Sequence, residues 1–148
     1  MSKIFEDEFT DLQSGMISLC MEIAVQNTEK IFIYCSNEKN SKAFNAFFCV
    51  GGELKKLHQL GHPMSLMSDF LREGGLDVCK VDGICEKYNM PAPTEMKLYY
   101  DVRSRSFEAE YKYEEVCSGR MKLDSSDVFR AWFDKEQKKA RANNKMGK

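Results

Sequence analysis

The sequence holds little of what small enzymes build their chemistry from. Histidine occurs only at positions 58 and 62. On a helix, His58 and His62 could grip a metal, but no glutamate follows His58 to complete the zinc-protease pattern. Gly61 and Pro63 instead favour a strand end and a loop. No CxxC pair exists among Cys20, Cys35, Cys49, Cys79, Cys85 and Cys117, and all six fall at apolar positions of the expected helices and strands. That is the pattern of reduced core thiols rather than of a secreted disulfide scaffold. Neither Gly51-Gly52 nor Gly74-Gly75 belongs to a GxGxxG sequence or to a Walker-type loop, so phosphate binding by a glycine loop is excluded. No stretch approaches the roughly 20 apolar residues that cross a bilayer, and the first residues lack the apolar run and cleavage site of a signal peptide. The expectation is a cytoplasmic domain without membrane contact, cofactor, metal or catalytic set.

A strong overall charge is missing too. The net charge of −1 supplies no global field for polyanions and argues against non-specific nucleic-acid binding as the main task. The charge is nevertheless uneven. An acidic start (Glu6, Asp7, Glu8, Asp11, Glu22, Glu29) faces a basic end (Arg130, Lys135, Lys138, Lys139, Arg141, Lys145, Lys148). With 148 residues, 43% of them hydrophobic and 30% charged, the chain can bury its own core and fits neither disorder nor a fibrous repeat. No solenoid repeat and no linker divides it. Residues 1–148 therefore read as one domain, of which 138–148 are a basic, fraying tail.

The apolar spacing Phe5, Phe9, Leu12, Met16, Leu19, Cys20, Ile23 is that of one helical face. Ile31 to Cys35 and Ala43 to Val50 are β-rich runs, and Gly51-Gly52 between β-prone segments signals a hairpin. Glu53 to Leu60 is read as a third strand despite its poor alternation. Pro63 opens a helical region carrying Met64, Met67, Phe70 and Leu71. Gly74-Gly75 is expected to break it before Val78, Val81, Ile84, Cys85 and Tyr88 resume the period. Two alternating strands follow, Glu95 to Val102 and Phe107 to Tyr113, joined at Arg103 to Ser106. Asp124, Ser125 or Ser126 can cap a last helix bearing Val128, Phe129, Trp132 and Phe133. The fold class is α+β: an antiparallel sheet of about five strands, helices mainly on one face, in the order α-βββ-α(α)-ββ-α.

The outward positions of the late strands carry the functional signal. Glu95, Tyr99, Asp101, Glu108 and Glu110 stand on that face beside Glu114 and Glu115 at the strand end. An ordinary solvated sheet face would look the same. The sharper expectation is an acidic and aromatic docking surface that steers a basic protein into place, as a nuclease would require.

Two segments carry a resemblance: Pro93-Thr94-Glu95-Met96-Lys97-Leu98-Tyr99-Tyr100-Asp101, and Ser106-Phe107-Glu108-Ala109-Glu110-Tyr111-Lys112-Tyr113-Glu114. With the later Asp127-Val128-Phe129 and Trp132, they resemble the YezG-like antitoxin and immunity proteins of bacterial polymorphic-toxin and contact-dependent growth inhibition systems. Tyr100, Asp101, Tyr111, Tyr113 and Glu114 are the family-like positions. The resemblance implies an immunity protein that binds the toxin domain made by a neighbouring gene, often a nuclease, and holds it inactive. Two other classes stay open. One is a small enzyme pairing His58 or His62 with a cysteine. The other is an adaptor holding nucleic acid through Lys138 to Lys148.

Overall fold

The apolar run at Ile31–Cys35 becomes the middle of the sheet. The computed structural model describes residues 4–38, 41–114 and 125–146. In chain order it has helix α1 (Phe5–Ile23), strands β1 (Thr28–Glu38), β2 (Ser41–Val50) and β3 (Glu53–Lys56), helix α2 (Met64–Lys87), strands β4 (Glu95–Asp101) and β5 (Phe107–Lys112), and helix α3 (Ser125–Met146). The five strands make one antiparallel sheet in the order β3-β2-β1-β4-β5. The α+β class and the order of elements are as expected.

Helices cover both faces of this sheet. On one face Ile31, Ile33 and Cys35 of β1, with Phe44, Ala46 and Phe48 of β2 and Met96 and Leu98 of β4, meet the apolar stripes of α1 and α2. On the other, Phe32, Tyr34, Phe47, Cys49 and Leu54 meet Phe129, Trp132 and Phe133 of α3. Strand β1 is consequently buried at eight successive residues, Ile31 to Glu38. A strand covered on both sides needs apolar side chains at every position, which is why Ile-Phe-Ile-Tyr-Cys does not alternate.

Several local expectations are corrected. α2 is continuous through Gly74-Gly75. Gly74 serves close approach instead of a break, because a Cβ there would overlap the ring of Phe44 on β2. β3 stops at Lys56, and Leu57–Leu60 form a 3-10 turn, which accounts for the poor alternation after Glu53. α3 extends to Met146, so it takes in most of the basic stretch that begins at Lys138. Gly51 and Gly52 do form the β2–β3 turn, with φ of 58° and 85°, the left-handed values that suit glycine in a tight hairpin.

The polar stretch Ser36 to Ser41 has the composition of a turn, but Ser36 to Glu38 continue β1 and Ser41 opens β2. Asn37 is buried, and its amide donates to Asp82 Oδ1 at 2.8 Å and to the Pro93 carbonyl at 3.1 Å. Lys42 Nζ donates to Asn37 Oδ1 at 2.5 Å and to Asp82 Oδ2 at 3.0 Å. Because its polar atoms are satisfied, the strand end can be buried without the usual cost of an unpaired amide.

Candidate functional site

The ladder between β4 and β5 decides which side chains share a face. Its register pairs Tyr99 with Glu108, Lys97 with Glu110, and Glu95 with Lys112. These residues lie on the side that α3 covers, beside Phe32 and Tyr34 of β1. α3 itself sits over the β2 and β3 half of the sheet, where Phe133 packs on Phe47 at 5.1 Å between ring centroids. Trp132 reaches across. Its ring meets Tyr99 edge-on at 5.6 Å, and Lys97 Nζ lies 5.4 Å from its centroid. Among the described residues the β5 side of this face is open, and the middle of it is roofed.

The expected docking residues therefore separate into groups. Glu108, Glu110 and Glu114 are exposed. Tyr99 is half-buried, and burial, with the carboxylates of Glu110 and Glu136 nearby, pushes its phenol far up from the ordinary value. It stays neutral and offers contact area and a hydroxyl, not a charge. Asp101 is held by its own turn: its Oδ1 accepts the N–H groups of Arg103 and Ser104, each at 3.0 Å. Those bonds favour the carboxylate and hold its pKa below the usual 3.8. Glu95 is corrected outright as a surface residue. It is 2% exposed, flanked in the register by Ser36 and Lys112, with Oε2 3.7 Å from Lys112 Nζ. Glu115 lies outside the described residues.

A recess of about 250 Å³ opens at the boundary between roofed and open sheet, lined by Lys30, Tyr99, Asp101, Ser106, Glu108 and Glu136 among others. Glu136 escaped sequence reading, although it lies one helical turn beyond Trp132 and so had to share its face. It also pairs with Lys139 at 3.4 Å. The arrangement offers carboxylates around a neutral tyrosine on a rigid sheet. It can accept hydrogen bonds and attract cationic side chains.

The other candidate groups lie elsewhere. His62 Nε2 donates to the Ile23 carbonyl at 2.6 Å, tying the end of α1, while His58 is exposed in the 3-10 turn. Cys20, Cys35, Cys49 and Cys85 are buried, and Cys79 is exposed, contrary to the expectation of a core thiol. Cys117 lies outside the described residues. Burial pushes the Cys35 thiol far up, and the carboxylate of Asp77 adds to the shift. Among the described residues no helix is long and apolar enough to cross a membrane. Comparison with protein-family models and with curated proteins finds no match to this chain, so the case for its surface rests on its own residues.

Proposed function

We propose that this chain is an immunity protein, an antitoxin that binds a cognate bacterial toxin domain in the cytoplasm of the producing cell and neutralises it by direct contact. A nuclease is the toxin that the chemistry fits best. A protein that cleaves nucleic acid must present cationic side chains to phosphates, and Glu108 and Glu110 project from β5 as the complementary charges. This exposed acidic pair, set on a rigid sheet beside Tyr99 and the recess, is the observation that carries the reading. The resemblance of Pro93 to Asp101 and of Ser106 to Glu114 to antitoxin and immunity proteins, carried by the same strands, points the same way. Such an inhibitor needs shape, charge and rigidity, and no reactive group.

The test is co-purification with the product of the adjacent gene. We expect a stable complex and loss of the toxin's nuclease activity when the chain is present in equimolar amount. Absence of both complex and protection would overturn the reading.

A further inference from the structure

Among the described residues, strand β5 is an edge of the sheet, paired with β4 and with no other strand. The phase of its ladder follows from the bond that Asp101 N–H donates to the Ser106 carbonyl at 3.0 Å. In an antiparallel pair the residues that point their main chain at the partner strand alternate. Glu108, Glu110 and Lys112 therefore turn theirs toward β4. Phe107, Ala109 and Tyr111 turn theirs outward, and no further bond engages these groups among the described residues.

The two sides of this edge differ sharply. On the α3 side stand the carboxylates of Glu108 and Glu110. On the α1 side, Phe107 and Tyr111 are 37% and 39% exposed, and Tyr113 just beyond is 57% exposed. There Tyr111 rests on Phe9 at 6.0 Å between ring centroids, and its hydroxyl accepts a bond from buried Gln13 at 2.8 Å. An apolar recess of about 190 Å³ lies beside it, lined by Phe5, Phe9, Met90, Pro91, Tyr111 and Tyr113 among others. An exposed edge with apolar neighbours is a ready template for another strand.

We propose that β5 takes up an extended segment of the partner protein as a sixth strand, and that this segment alternates basic with apolar residues. The inference rests on reading the chain as a binding protein and specifies how it binds. Main-chain groups of Phe107, Ala109 and Tyr111 supply the ladder. Lysine or arginine side chains of the segment lie across from Glu108 and Glu110, and its apolar side chains enter the Phe9–Tyr111 recess. A second copy of this chain fits less well. Aligning two β5 strands about Glu110 leaves Glu110 against Glu110 beside Glu108–Lys112 pairs, and aligning them about Tyr111 leaves Glu108 against Glu114 beside Glu110–Lys112 pairs, whereas a basic segment can set a cation against both Glu108 and Glu110.

The probe is a seven-residue peptide of alternating lysine and valine, with an alternating glutamate and valine peptide as control, read by amide hydrogen exchange on the full chain. We expect the lysine peptide to slow exchange at Phe107, Ala109 and Tyr111 by about tenfold or more, in a salt-sensitive way, with no effect of the glutamate peptide. Ala109→Pro removes an outward donor that the ladder to β4 does not use, a change that edge strands tolerate, and should abolish the protection. Glu108→Gln with Glu110→Gln leaves the backbone intact and should weaken it. Unchanged exchange at the three amides, or equal protection by both peptides, would overturn the proposal. The cognate toxin separates the two claims: neutralisation that survives Ala109→Pro would sink strand addition alone, whereas failure of the unaltered chain to neutralise would sink the inhibitor reading alone.

Discussion

Gly74 shows how much one missing methyl decides. It lets α2 descend onto Phe44, whose ring in turn meets Phe70 at 5.3 Å between centroids. Gly74→Ala should cost about 1–3 kcal/mol through overpacking. Gly75 has open space where its Cβ would stand, so Gly75→Ala should be neutral or stabilising by about 0.5–1 kcal/mol in the helix interior. Urea unfolding of the two variants checks the contrast, and equal midpoints would remove close packing as the reason for Gly74. Asp82 makes a second residue-level test. Burial pushes its carboxyl up, but Asn37 and Lys42 outweigh that and hold it below its ordinary 3.8. Its contribution to stability is therefore complete above the unfolded value and is lost as pH falls through the lower folded one. Asp82→Asn should flatten the loss of stability below about pH 4, measured by denaturant unfolding across the acid range. An acid limb as steep as that of the unaltered chain would rule out this linkage.

Helix α3 is the element on which the second face depends. Trp132 touches Phe32, Tyr34, Phe47 and Tyr99, with centroid separations from 4.9 to 6.3 Å. Trp132→Ala should cost about 3–5 kcal/mol and uncover Tyr99, readable by far-ultraviolet dichroism in denaturant. A cost below about 1 kcal/mol would mean that α3 is not a structural roof. This helix also marks the limit of what the sequence discloses. The alternation of β4 and β5 was legible because period two follows from the pleat itself. Which helix covers which side is a long-range matter, and so Glu95 read as solvated while it is buried. One signal did point to a covered second face. Ile31 to Cys35 is apolar at every position, and the stripe Phe129, Trp132, Phe133 needed an apolar floor. Ser36 to Glu38 and Gly74-Gly75 misled for a related reason. Local polarity and local glycine propensity yield to tertiary partners, here Asp82 with Lys42 and the Phe44 ring.

In the molecule as a whole, three carboxylates meet at one margin of the sheet. With a net charge of −1, any steering must come from local arrangement, and Glu108, Glu110 and Glu136 gather where β5 meets the recess beside Tyr99. Glu108 and Glu110 are exposed, so neutralising that pair should leave stability within about 0.5 kcal/mol. Their effect belongs to encounter with a basic partner, where charge acts on the association rate. The deciding measurement is the association rate of the cognate toxin with the unaltered chain and with Glu108→Gln, Glu110→Gln and Glu136→Gln combined, at low and at high salt. The rate should fall about tenfold or more in the triple variant at low salt and converge with that of the unaltered chain at high salt. Equal rates at both salt concentrations would contradict the acidic margin as the surface that meets the toxin.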